Sequence, residues 1–329
     1  MANQEISITP GKSDNVKPTA EMNMGARKPD LSQEVKNIEP KDILDYIVSK
    51  SPDDFLPWEK VNLPSMGLFY EGKIPNGTVE VRPMGLITDK ILATSRLAQT
   101  GQSINYLYKH CVKFPDPNFD PLDLLESDRT FLLWYLRGIT HGNIYEFSVT
   151  CNNDACKSVS THEYDLNQLA STIKSPKFNR EPFRIVLPNM SEILKREIYV
   201  ECRFMRGRDL QIMMKSQENK KRMRGNVARN PKTGTPMASS EEITLDTTVE
   251  ENLNLLIVSF NGNTDRFKIN QVFPRMSSAD TAVIRETIRE SEPGVDTTIL
   301  ITCPNCSNEM KLGLPFTESF FRPTQPRRT

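Results

Sequence analysis

Two short stretches, TCNNDACKS at residues 150–158 and TCPNCSNEM at residues 302–310, each set a pair of cysteines into a turn. Cys151 and Cys156 have four residues between them, and Cys303 and Cys306 have two. Residues 145–150 and 158–164 flank the first turn with strand-like sequence, and residues 297–302 and 310–314 flank the second. Asn, Asp and Pro at the turns predict two β-hairpins with a cysteine pair at each tip. Facing each other, two such tips make a four-thiolate site, because zinc takes four soft or borderline ligands in a tetrahedron. Cys151, Cys156, Cys303 and Cys306 are therefore the expected ligands of one Zn2+ ion. Four protein ligands leave no open position, so the ion is expected to be structural and not hydrolytic. Unpaired thiols, a disulfide, a redox pair or another metal are the competing readings. A redox CxxC places its first cysteine at a helix N-terminus, whereas the sequence after Cys306 has the pattern of a strand.

The 329 residues carry 42 Lys or Arg and 42 Asp or Glu, so no net charge draws the chain toward nucleic acid or anionic lipid. A hydrophobic fraction of 37% and 23 prolines predict segments that never join a core. No run of about 18 apolar residues predicts a membrane-spanning helix, and the start MANQEISITPGKSDN lacks the basic and apolar regions of a signal peptide. Cytoplasmic synthesis is the expectation, and reducing conditions there favour metal ligation over disulfides.

The expected fold is α+β, with mainly helical lobes joined through a zinc-ribbon-like pair of β-hairpins. Residues 1–55 are polar and predict a disordered arm, within which PKDILDYIVSKS holds a short helix. Ile43, Leu44 and Ile47 share one face of that helix and are a candidate partner motif. A β unit and helical lobe follow over 56–143, with Leu86, Ile87, Ile91, Leu92 and Ala98 on one helical stripe and Ile104, Leu107, Tyr108 and Cys111 on the next. Asp120 and Pro121 predict the start of a central helix running through LDLLESDRTFLLWYLRGI, with Gly138 and Gly142 ending it. The first hairpin occupies 144–166. An α+β insertion over 167–296 includes strands at 182–188 and 198–204, with Cys202 facing inward. Residues 207–223 can be helical, but a mobile basic loop is expected at about 215–240. Seven Lys or Arg face one acid between Lys215 and Lys232, and Lys220, Lys221, Arg222 and Arg224 are its densest cluster. An acidic helix is expected from Ser239 into LNLLIVSF, and a capped helix from Ser277 or Ser278 to Gly294. The second hairpin and C-terminal segment span 297–321, and a basic tail spans 322–329.

None of the three histidines sits in a recognisable catalytic motif, and no GxxxxGK, GxGxxG or HExxH occurs. His162 and His110 are expected as ordinary strand and helix residues, and no catalytic residue or organic cofactor is expected.

LPSMGLFY with VEVRPM (63–70, 79–84), FLLWYLRGITHGNIYEFSVTCNNDAC (131–156) and the run from VIRETIRESEPGVDTTILITCPNCSNEM (283–310) to LPFTESFF (314–321) resemble the T4-type base plate protein family of tailed bacteriophages. The last is the most specific, since it joins a helix, a Pro-Gly turn, a cysteine pair and an aromatic end. Ser307 departs from the pattern, because a zinc knuckle often has Gly there. The resemblance implies a baseplate hub subunit or hub assembly factor, with other phage tail or baseplate proteins as partners. It implies residence in the host cytoplasm during assembly or in the virion tail, and no reaction. The alternative is a zinc-ribbon nucleic-acid-binding phage regulator or replication accessory protein using Lys220, Lys221, Arg222 and Arg224 on phosphates. No Phe, Tyr or Trp between Met205 and Ser259 is there to stack on bases.

Overall fold

The computed structural model describes residues 29–94, 97, 102–225, 248–316 and 318–321. Residues 1–28, Ala98, the rest of the expected basic loop, the acids Glu241, Glu242 and Asp246, and the 322–329 tail lie outside the described residues. The chain is α+β, with helices arranged around five small antiparallel sheets among the described residues. Strands β1 (Glu59–Asn62), β2 (Thr78–Val81) and β3 (Val112–Lys113) form the first sheet. β4 (Ile144–Thr150) pairs with β5 (Val159–Asp165), and β6 (Ile173–Lys174) pairs with the distant β10 (Gly294–Val295). β7 (Phe183–Val186), β8 (Tyr199–Cys202) and β9 (Ile257–Phe260) make the insertion's sheet, and β11 (Thr298–Thr302) pairs with β12 (Glu309–Gly313).

One helix, Glu126–His141, is the spine of the core, with Phe131, Leu132, Trp134, Leu136 and Ile139 all buried. Its start gathers three remote parts of the chain. The Tyr70 hydroxyl donates to Asp128 at 2.5 Å and accepts from the Leu125 N–H at 3.1 Å, while the Ser65 N–H donates to Asp128 at 3.1 Å. The Glu126 N–H donates to Met205 O at 2.8 Å, and the Arg206 guanidinium bonds Asp123 O and Phe69 O and pairs with Glu181. Gly294 lies against Ser127 so closely that an added Cβ would stand 2.7 Å from the serine Cβ. At the other end, Arg137 donates to Gly142 O at 2.7 Å and Ile144 O at 3.2 Å, which fixes the exit into β4. Tyr145 donates to Pro315 O at 2.8 Å and meets Phe320 edge-on, so the C-terminal segment closes over the same place.

Several elements differ from expectation. The central helix does not start at Asp120. Asp120 caps a short 3-10 turn, Pro121–Asp123, and Leu124 and Leu125 are extended because their backbone bonds go to Gly207 and Tyr70. Gly138 is inside the helix, and only Gly142, at φ 85°, ends it. Leu86 and Ile87 are exposed, at 70% and 60%, while Thr88 turns inward with its hydroxyl on Gly85 O. The stretch IVSF is strand β9 and not helix, because its backbone completes the sheet beside β8. Lys215 through Gly225 belong to a helix, Gly207–Gly225, so the basic segment is not a loop before residue 226. The C-terminal capped helix runs Ser278–Ser291 with Ser277 as its cap, and Gly294 falls in β10 beyond its end. Residues 29–55 hold three short helices with no buried residue in any, joined to the body by an Asp53–Arg82 contact of 3.4 Å.

The junction at the start of the central helix carries several acids in little solvent. Burial pushes Glu126 up to about 7 against the pull of Arg129, and pushes Asp128 up to about 6 against its bonds from Ser65 and Tyr70. Burial, and then the charges of Glu126, Asp128 and Glu181, push Glu292 up to about 7 despite a bond from Ser127. A raised folded value means that the native state holds protons the unfolded chain has lost, so this part of the stability is lost as pH rises toward 7. Glu292→Gln should therefore raise the melting temperature at pH 8 by about 2–4 °C, as about 1 kcal/mol does in a domain of roughly 150 to 250 residues. The same substitution should change little at pH 4, where the unfolded carboxyl also keeps its proton. An equal shift at both values would contradict this origin.

Candidate metal centre

The two cysteine turns are hairpin tips built the same way. β4 and β5 close at Thr150↔Val159, after which the Cys151 N–H donates to Ser158 O at 2.8 Å. β11 and β12 close at Thr302↔Glu309, after which the Cys303 N–H donates to Asn308 O at 2.9 Å. Backbone turns follow, with the Lys157 N–H on Asn153 O at 3.0 Å and the Ser307 N–H on Cys303 O at 2.9 Å. The residue after the second cysteine is left-handed in both, Lys157 at φ 46° and Ser307 at φ 57°. Two turns of unequal sequence spacing thus converge on one local shape.

The hairpins belong to separate two-stranded sheets, and their tips face each other. All four sulfurs of Cys151, Cys156, Cys303 and Cys306 lie within 4.8 Å of one another. Cys151 and Cys306 Sγ are 3.6 Å apart, and Cys156 and Cys303 Sγ are 4.0 Å apart. A tetrahedron with zinc–sulfur bonds of about 2.3 Å spaces its sulfurs about 3.8 Å apart, so the cluster has the right size for a four-thiolate ion. Cys151 and Cys303 are buried, Cys156 is half-buried and Cys306 is exposed. The cluster therefore lies at the surface with its inner half covered.

The sulfurs titrate apart. Bonds from the Ser158 hydroxyl and N–H, then from Asn305, bring the Cys156 thiol down to about 6. Ser158 and the Asn305 and Cys306 N–H groups also hold Cys303 below its ordinary value. The Asn308 N–H favours the Cys306 thiolate, but loss of solvent and the sulfurs of Cys156, Cys151 and Cys303 outweigh it and raise that thiol to about 12. Binding a cation through all four sulfurs requires all four deprotonated.

Other candidates fall elsewhere. Cys111 and Cys202 are buried, each thiol raised to about 12 by loss of solvent, and neither joins the cluster. His162 is on β5, its Nε2 2.8 Å from the Ser160 hydroxyl, and His110 ends the Ser103–Cys111 helix. In the Ile43–Ser49 helix, Leu44 and Ile47 are exposed at 69% and 44%, but Ile43 is half-buried, and the third residue of the exposed face is Val48 at 83%. Counting i, i+3 and i+4 from Leu44 would have found it. Lys220 pairs with Glu251, and Lys221, Arg222 and Arg224 lie on the last turns of the Gly207–Gly225 helix. The residues missed at the cluster are the polar side chains that reach the sulfurs. Asn305 Nδ2 is 3.4 Å from Cys156 Sγ, Asn153 Nδ2 3.9 Å from Cys306 Sγ, and Asn308 Nδ2 4.0 Å from Cys151 Sγ. The Ser158 hydroxyl is 3.1 Å from Cys156 Sγ and 3.4 Å from Cys303 Sγ.

Among protein families, the model of the T4 bacteriophage base plate protein family matches residues 68–322, which include both hairpins and the central helix and exclude the 29–55 helices. No curated protein and no solved structure matches the chain. Among the described residues no helix is long and apolar enough to cross a membrane.

The left-handed Ser307 sets up a direct test of the knuckle geometry. A non-glycine residue there costs about 1–2 kcal/mol, and glycine returns part of that gain as unfolded-chain entropy. Ser307→Gly should stabilise the chain by about 0.5–1 kcal/mol in chemical denaturation, on those two terms. A destabilised variant would contradict the observed backbone conformation.

Proposed function

The chain belongs to the T4 bacteriophage base plate protein family, and from that membership we propose that it is a baseplate hub subunit or hub assembly factor. It works in tail assembly through protein–protein contacts, and its four-cysteine centre holds a structural Zn2+. The observation that carries the reading is a family match over most of the chain, within which the four sulfurs converge. Cys151, Cys156, Cys303 and Cys306 would hold the ion, and its chemistry would be to bind thiolates, with no position left for a substrate. Its contribution is folding energy. Structural zinc gives roughly 10–16 kcal/mol of apparent binding energy in finger peptides near neutral pH, and even part of that is comparable with the stability of a domain.

Partners would be other tail or baseplate proteins, met first in the host cytoplasm and then in the growing tail. The exposed face of Leu44, Ile47 and Val48, beside the half-buried Ile43, is our choice for one contact. A partner groove with an apolar floor would suit it. The nucleic-acid reading is the weaker one, because Lys220 is already engaged by Glu251.

Purified particles and infected-cell lysate, compared by quantitative mass spectrometry, test the hub reading. A fixed low copy number in particles identifies a hub subunit, and abundance in lysate with absence from particles identifies an assembly factor. Deleting residues 1–55 should leave the melting temperature of the body unchanged and lower the particle yield. A normal yield would remove the arm from the assembly role, and a chain unrelated in abundance to tail assembly would reject the proposal.

A further inference from the structure

Each of the four cysteines is followed two residues later by a polar side chain: Asn153 after Cys151, Ser158 after Cys156, Asn305 after Cys303 and Asn308 after Cys306. Every one of these side chains reaches a sulfur on the opposite hairpin. Asn153 reaches Cys306 and Asn308 reaches Cys151, at 3.9 and 4.0 Å. Asn305 reaches Cys156 at 3.4 Å, and the Ser158 hydroxyl lies between the hairpins, 3.1 Å from Cys156 and 3.4 Å from Cys303. The arrangement is reciprocal, because the residue serving each cysteine is the follower of the cysteine that its own follower serves. We infer that Asn153, Ser158, Asn305 and Asn308 are positioning residues, a crossed set of neutral donors that holds the four thiolates for a divalent metal ion and slows its loss. This deepens the metal reading above and rests on it.

The chemistry asks for such a set. A dication bound by four thiolates leaves two negative charges, and hydrogen bonds to the sulfurs spread that charge and orient the ligands. A cation could do the same, but Lys157, the one beside Cys156, turns to Asp154 at 2.7 Å. Ordinary turn formation does not account for the residue types. The Asn153 oxygen accepts from the Ala155 N–H at 3.0 Å, which shapes the turn and leaves its amide nitrogen for Cys306. Aspartate would make the same turn bond, but it would bring a charge and no donor to the sulfur. Asn308 also braces the tips directly, its amide donating to Asn152 Oδ1 at 2.6 Å. Because the two hairpins lie in separate sheets, these side chains bond the tips where no strand ladder does.

The full-length chain is loaded with Co2+ and, separately, with Zn2+, and each ion's transfer to a chromophoric chelator is timed. Asn153→Asp keeps the turn and removes the donor, and Ser158→Ala removes a donor without adding charge. Each variant should still take up the ion and lose it about 10- to 100-fold faster than wild type. Its sulfur-to-cobalt charge-transfer band should move to longer wavelength, since a sulfur relieved of a hydrogen bond gives up charge more readily. If these side chains serve only the turns, band and rate stay unchanged in Ser158→Ala, which removes a donor and adds no charge, and that result would overturn the inference. A wild-type chain that takes up neither ion would instead remove the metal reading, and this inference with it.

Discussion

Four sulfurs from two places far apart in the chain meet within 4.8 Å, and the rest of the architecture is arranged so that they can. Everything between Lys157 and Thr302 must leave from one hairpin and return beside it. The central helix delivers the chain into β4 through Arg137, whose guanidinium holds Gly142 O and Ile144 O. The Ser278–Ser291 helix delivers it into β11 by way of Gly294, packed on Ser127 at the start of that same central helix. Both hairpins are therefore hung from one rigid element. The β6–β10 pair, Ile173 to Lys174 on Gly294 to Val295, repeats the closure one layer further in.

That closure is held by polar bonds in little solvent. Asp128 is fully buried and bonded by Ser65 and Tyr70, and Tyr70 in turn accepts from Leu125. Arg206 ties the insertion to Asp123 and Phe69. A buried polar group left without a partner costs about 1–3 kcal/mol, so these bonds specify one relative placement of three remote segments more strictly than apolar contact alone. The cost is a junction crowded with acids whose carboxyls burial pushes up. The sulfur cluster is linked to it through the chain, since Gly294 packs on Ser127 and the residues that follow lead into β11.

Much of this was legible in the sequence where chemistry is local. Cysteine spacing and turn residues located both hairpins to within one residue at each strand end, and the apolar run at 131–139 identified the core helix. Inward alternation placed Cys202 on the buried face of β8. What could not be read depended on partners far away. Leu124 and Leu125 look helical, yet their backbone bonds go to Gly207 and Tyr70. IVSF looks like the end of a helix, yet β8 offers it a ladder. Leu86 and Ile87 match a buried stripe, but the seven-residue helix that carries them turns Thr88 inward instead. At the cluster, the four cysteines were visible and the polar side chains around them were not. Their signal, a polar residue two places after each cysteine, acquires meaning only when the two hairpins are seen to face each other.

For a baseplate protein this design separates duties. The body is closed by its sulfurs and its buried junction, while the 29–55 helices, outside the family match, leave apolar side chains uncovered. The central claim concerns the four sulfurs, and X-ray absorption at the metal edge of the chain purified without added metal tests it most directly. The account predicts zinc with four sulfur neighbours at about 2.3 Å and no lighter ligand. A shell containing nitrogen or oxygen, or a chain without metal, would contradict it.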